Sequence, residues 1–307
     1  MFKRILLPLD GSELAETVIP VANDLAKHYK AKLILFHVLE KEVPDTIHGE
    51  RHLGQVEEAR AYLNALADQV RVGGVEVEID LHEPRQANVA QSISEHAREL
   101  QADLVVLCAH GRGGLRDILI GGIAQQVIHQ ETIPVLFIRP DQVANLKPDG
   151  WKLILVPFDG KPNHETALPV AASLAETYDA RLRLLTVVPT ADTLPSDEAA
   201  VGRLLPASTV MALDLAAQEA KEYLQRVANN LAQKNLSVSG LVLRGDTVSG
   251  IIETVDTEKV DLIVMATHGH HNLSAFWAES TMPKILSKSP VPVLFVREIQ
   301  EENESPG

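Results

Sequence analysis

The stretch "KRILLPLDGSE", residues 3–13, decides the fold because it is written a second time: "KLILVPFDGKP" occupies residues 152–162. Asp10 falls on Asp159, an offset of 149, and the same offset carries Pro20 of "VIPVANDLA" onto Pro169 of "ALPVAASLA". "AKLILFHV" (31–38) returns as "ARLRLLTV" (180–187) in that register. Further on the offset becomes 158, for "ADLVVLCAHG" against "VDLIVMATHG" and for "PVLFIRP" (134–140) against "PVLFVRE" (292–298). A fixed-period repeat of this length is one structural unit used twice. The second copy carries about nine more residues, and "PTADTLPSDEAAVGRLLPAST" (189–209) reads as a long, proline-bearing loop that holds them.

Within each copy, strand and helix alternate. Residues 4–9 form a continuous apolar run, as in a parallel strand covered on both faces. Val18, Val21, Ala22, Leu25 and Ala26 then recur at helical steps, with Pro20 expected near the helix start or at a kink. Val56, Ala59, Leu63, Leu66 and Val70 make a second apolar stripe. "VEVEIDLH" (75–82) alternates strictly, as an edge strand does. Val89, Ile93 and Ala97 mark a third helix, "DLVVLCA" a fourth strand, Ile123, Val127 and Ile128 a fourth helix, and "PVLFIR" a fifth strand. The expectation is α/β: two tandem, doubly wound domains, each on a five-stranded parallel sheet, at residues 1–140 and 151–298, joined by a linker near "PDQVANLKPDG".

Length and composition agree. The chain has 307 residues, 45% hydrophobic, 23% charged and 4% aromatic, enough for two cores of aliphatic character. A formal net charge of −14 argues against nucleic acid or an anionic membrane as partner. Cys108 is the only cysteine, so an intrachain disulfide and a thiolate cage are excluded. The opening "MFKRILLPLDG" is too soon broken by Pro8 and Asp10 for a signal peptide, and no apolar run reaches the ~18 residues of a membrane span. A reducing cytoplasm is the expected location.

After the fourth strand comes "HGRGGLRDILIGG", residues 110–122. Gly111, Gly113 and Gly114 can form a nest of backbone amides, Arg112 adds positive charge, and Gly121 and Gly122 can open the next helix toward an anion. "LLPLDGS", "LFHV", this loop and "PVLFIRP", in order and twice, resemble the universal stress protein family in a tandem form. The resemblance implies a sheet order of 3-2-1-4-5, an internal pseudo-dimer through the apolar fifth strands, and a crevice at the ends of strands 1 and 4 that takes ATP or a related small ligand. A further homodimer is compatible with it. Scattering data showing two separate, flexibly tethered lobes would contradict the internal pairing.

ATP-binding members carry G-x2-G-x9-G-[ST] at this loop. The first copy reads Cys108-x2-Gly111-x9-Gly121-Gly122, and the second Ala266-x2-Gly269-x9-Glu279-Ser280. The first loses a hydroxyl and some room. The second places a carboxylate where phosphate would sit, so the expectation is a nucleotide in the first domain only. By the resemblance Asp10 lies near the adenine, and the backbone of Val38 reads the base edge. The alternative for Asp10-Gly11-Ser12 is that Ser12 simply caps the following helix.

Eight of the twelve histidines lie in the first copy. His37, His82 and His110 stand at or beside strand ends and are expected to converge on one crevice. His48 and His52 are spaced i, i+4. His48, His52, His82 and His110 are therefore candidate ligands for Zn²⁺ or a similar ion, and a non-nucleotide receptor with a histidine-lined site is the rival reading. As an enzyme the chain lacks a paired-carboxylate motif and a Ser–His–Asp signature at recognisable spacing, which leaves at most slow ATP hydrolysis.

Overall fold

A computed structural model of the chain describes residues 1–39, 46–47, 50–51, 53–83, 88–109, 122–130, 132–143, 150–158, 165–194, 196–267 and 281–297. The chain forms two compact units, one built on Met1–Leu146 and the other on Lys147–His268.

In the first unit the chain order is β1 (Arg4–Pro8), α1 (Glu13–Glu16), α2 (Ile19–Tyr29), β2 (Lys32–Val38), a short antiparallel pair β3 (Thr46–Ile47) and β4 (Glu50–Arg51), α3 (Val56–Val72), β5 (Val77–His82), α4 (Val89–Glu99), β6 (Leu104–Cys108), α5 (Gly122–Gln130), β7 (Val135–Ile138) and α6 (Pro140–Val143). The sheet runs β5-β2-β1-β6-β7 with parallel neighbours, the expected 3-2-1-4-5. Ile5, Leu6, Leu7, Leu33, Ile34, Leu35 and Phe36 are buried completely, because helices cover both faces of the sheet and only the strand ends meet water. Pro20 is accommodated in the first turn of α2, where its missing amide leaves no hydrogen bond unmade.

The second copy repeats this: β8 (Leu153–Phe158), α7 (Ala167–Tyr178), β9 (Arg181–Val188), α8 (Ser196–Leu204), α9 (Pro206–Ala232), β10 (Val238–Arg244), α10 (Thr247–Glu258), β11 (Leu262–Thr267), α11 (Thr281–Lys288) and β12 (Val293–Arg297). The order is β10-β9-β8-β11-β12. One aspartate fixes the start of the first strand in both copies. Asp103 accepts from the amides of Lys3 and Arg4 at 2.7 and 3.1 Å, and Asp261 accepts from those of Lys152 and Leu153 at 2.8 and 2.9 Å. Charge-assisted bonds of this kind contribute more than neutral ones. Asp103→Ala is expected to lower the stability of the first unit by about 1–2 kcal/mol, read as a fall in the midpoint of urea unfolding; no fall would show that water replaces the carboxylate at no loss.

The extra residues of the second copy are not a loop. Residues 196–204 are helical, and α9 extends for 27 residues where α3 has 17. The expectation of a loop rested on Pro189, Pro195 and Pro206 and overlooked the helix-forming Ala, Leu, Glu and Arg between the last two. Pro206 begins α9, where it costs nothing. This helical pair leaves Leu204 81% and Met211 74% exposed, with Val201, Leu205 and Leu215 exposed beside them.

Candidate functional site

The strand connections define the place where a ligand crevice belongs. From β1 the chain passes through α1 and α2 to β2 on one side, whereas β6 leads through α5 to β7 on the other. β1 and β6 are adjacent, with Ile5 opposite Leu104 and Leu6 opposite Val105. Their carboxyl ends therefore flank a topological switch point, the usual ligand site of an open parallel sheet.

The turn after β1 is tightly determined. Asp10 Oδ1 accepts from the Ser12 amide at 3.0 Å and from the Ser12 hydroxyl at 2.6 Å, and Ser12 Oγ in turn accepts from the Ala15 amide at 3.1 Å. Ser12 is thus the N-cap of α1. Gly11 has φ of +89°, and a Cβ on it would lie 2.7 Å from Leu53 Cδ1, so only glycine suits both the backbone and the space.

Across the switch point, Cys108 ends β6. Its thiol donates to the Leu14 carbonyl at 3.0 Å and lies 3.9 Å from Thr17 Oγ1, so the side chain that stands where the family pattern has glycine is spent against α1. Gly122 is the first described residue of α5, and among the described residues nothing lies within 4 Å of where its Cβ would be. Val38, the last residue of β2, is buried and lies opposite His82. Gly111, Arg112, Gly114 and Gly121, with His48, His52 and His110, lie outside the described residues, as do Asp159 and Glu279 of the second copy.

The histidines do not converge as expected. His37 lies opposite Leu81, and Val38 opposite His82. Successive residues of a strand face opposite sides of the sheet, so His37 and His82 point apart. His37 is 1% exposed and is held by backbone, with Nδ1 2.7 Å from the Leu9 carbonyl and Nε2 3.3 Å from the Leu53 carbonyl. It serves as a packing brace between β1 and the start of α3. On the other face His82 Nδ1 is 2.8 Å from His96 Nε2, and His96 Nδ1 is 2.7 Å from Asp80 Oδ2. The His96 ring also packs against Phe36, centroids 4.8 Å apart. Among the described residues no group of three or more His, Cys, Asp or Glu side chains could hold a metal ion.

Asp80 Oδ2 lies at ion-pair distance from His96 Nδ1 but accepts no hydrogen bond among the described residues, so charge and the His82–His96 contact couple the three groups. Burial, then the neighbouring His96, holds the His82 pKa below its ordinary value, although Asp80, Glu95 and Glu99 pull upward. A folded pKa below the unfolded one means that the unfolded chain takes the proton first. The contribution of these three groups to stability is therefore complete above ~6.5 and declines as pH falls through the folded value. His82→Leu should flatten the decline between pH ~6.5 and 5, as read by thermal unfolding across that range; an unchanged slope would assign it to another group. The second copy has Leu241, Leu243 and Thr254 at the equivalent positions, and the Thr254 hydroxyl donates to the Gly250 carbonyl instead. His96 was missed in the sequence because no periodicity links a strand end to a helix 14 residues later.

The geometry can be set beside known proteins. A model of the Universal stress protein family matches residues 1–139 and again 150–297. The chain is 29% identical over 154 residues to a universal stress protein of Synechocystis sp., covering 45% of this chain and 98% of that one. It is 24% identical over 238 residues to a universal stress protein of Mycobacterium bovis, covering 77% of this chain and 76% of that one. Among solved structures, a universal stress protein from Archaeoglobus fulgidus superposes with a TM-score of 0.68 at 16% identity, covering 97% of each chain. One from Pseudomonas aeruginosa gives 0.66 at 17% identity, over 96% of this chain and 93% of that one. Two matches of the family model in succession, on two copies of the same sheet, show that the chain belongs to the universal stress protein family.

Proposed function

We propose that this protein is a regulatory binding protein of the stress response, and that its first half alone holds ATP or a related nucleotide at the ends of β1 and β6. The observation that carries this reading is the pairing of a topological switch point with a nine-residue helix that begins at Gly122, which no described residue crowds. The first amides of such a helix have no partner within it and attract an anion. Gly111, Arg112, Gly114 and Gly121 precede it in sequence and supply the amides and the charge that a polyphosphate needs. Asp10 and Val38 border the same place, where the resemblance puts adenine.

The donor set suits a nucleotide: glycine backbone amides for phosphate, one cationic side chain, and a strand end for the base. Glu279 in the corresponding loop of the second copy opposes a polyphosphate there. A reducing interior and a small-molecule partner fit the single cysteine and the acidic surface. Mass spectrometry of what the untagged protein releases on denaturation tests the reading. A nucleotide at up to one per chain supports it, and a protein that releases none and takes up none on incubation with ATP and Mg²⁺ overturns it.

A further inference from the structure

We infer that the second half pairs with a second copy of the chain, through the helical hairpin that α8 makes with the first half of α9. The two halves of α9 differ sharply. From Ala220 onward the helix carries a buried stripe, Ala220, Leu224, Val227, Ala228 and Leu231. From Pro206 to Glu219, about 21 Å of helix, no residue is buried.

Composition makes that exposure unexpected. Residues 204–218 hold one charged side chain, Asp214. Val210, Met211, Leu213 and Leu215, together with four alanines, are spread around every side of the helix. A helix that is apolar all round belongs inside a core, and one of this length is marginal in water without a partner. The fold itself does not require these turns: in the first copy α3 begins its buried stripe at Ala59, one turn in, and keeps it to Val70. Nor does α8 supply the missing cover. It packs back where Gly202 meets Thr209, and it leaves its own Val201 and Leu204 exposed, with Leu205 at the joint.

Charge and area identify the partner. The chain carries a net −14, which repels a second copy over an average face. On the hairpin that obstacle is missing, because Asp214 is already paired with Arg244 of the same unit at 2.9 Å, and the segment can meet its own image without opposing like charges. Val201, Leu204, Leu205, Val210, Met211 and Leu215 are 49–81% exposed. At roughly 100 Å² of apolar surface per whole side chain, they offer on the order of 400 Å². A standard interface buries ~800 Å² a side, about 65% of it apolar in homodimers, so ~500 Å² is needed. Ala207 and Ala212, also exposed, close most of that gap. Two such hairpins related by a two-fold axis pack as a four-helix bundle, in which these side chains become a core.

Sedimentation equilibrium of the full chain tests this. The mass should rise from 33.5 kDa in dilute solution to twice that value by a concentration on the order of 100 µM. Met211→Glu/Leu215→Glu puts each new carboxylate into the interface twice, and should raise the dissociation constant at least about 100-fold. Diluted until both are monomers, variant and parent should melt together, since both side chains are exposed in the single chain. Val72→Glu, an equally exposed apolar position at the end of α3 in the first unit, should leave the dimer intact. Amide hydrogen exchange over residues 206–219 should slow as the parent is concentrated. A parent that stays monomeric, a dimer indifferent to Met211→Glu/Leu215→Glu, or one equally disrupted by Val72→Glu would overturn the assignment. A monomer that instead binds phosphatidylcholine vesicles through this hairpin would give the surface to lipid and overturn it as well.

Discussion

Titration of the protein with ATP and Mg²⁺ is expected to give at most one site per chain, and Gly114→Glu is expected to remove it. On the proposed reading the variant puts a carboxylate among the amides that hold phosphate, as Glu279 does at the position aligned with Gly121. Two like charges ~4 Å apart repel by about 4 kcal/mol at an effective dielectric near 20. Even halved by solvent screening, that weakens binding more than ~10-fold, and the full effect approaches ~1000-fold. A single lost hydrogen bond, such as the hydroxyl absent at Gly122, costs about 1 kcal/mol and cannot compete with it. Glu279→Gly, by contrast, should leave the titration unchanged, because the second loop also lacks the first copy's run of glycines. Two equal sites in the parent protein, or an unaffected titration with Gly114→Glu, would defeat the asymmetric reading.

The second large effect concerns folding. His37→Ala should destabilise the first unit by about 3 kcal/mol, the sum of a cavity left by the ring and a carbonyl stripped of its donor. For a unit of this size that is a fall of roughly 6–12 °C in melting temperature. Thr186→Ala, at the equivalent position of the second copy, removes a hydroxyl that has no hydrogen-bond partner among the described residues and should cost less than ~1 kcal/mol. The contrast is the useful measurement. If both variants lost equal stability, the brace between Leu9, His37 and Leu53 would contribute nothing beyond volume.

The sheet was legible in the sequence because its information is periodic and doubled. "KRILLPLDG" and its repeat establish buried parallel strands, and the strict alternation at residues 75–82 identified the edge strand β5. The site was legible only in part. Side-chain faces depend on register, and register is a relation between strands that no single segment encodes. His37 and His82 both sit near strand ends, yet one residue of register turns them to opposite sides of the sheet. Asp80 and His96 meet through a strand and a helix packed against it, a contact without spacing rules. The helical pair α8 and α9 was misread for a different reason: proline marks a boundary, but it does not say whether a loop or a helix begins there. Glycines 111, 114 and 121 were readable as chemistry from composition alone, and they lie outside the described residues.

The exposed flank of α8 and α9 has a consequence for oxidation chemistry. Met211 stands 74% exposed among Leu204, Leu205, Val210 and Leu215, whereas Met282 is 2% exposed inside the second unit. A peroxide reaches the first sulfur freely and the second only when the unit opens. Conversion of Met211 to its sulfoxide would place a strongly polar, chiral S=O group on this exposed flank and leave the core around Met282 untouched.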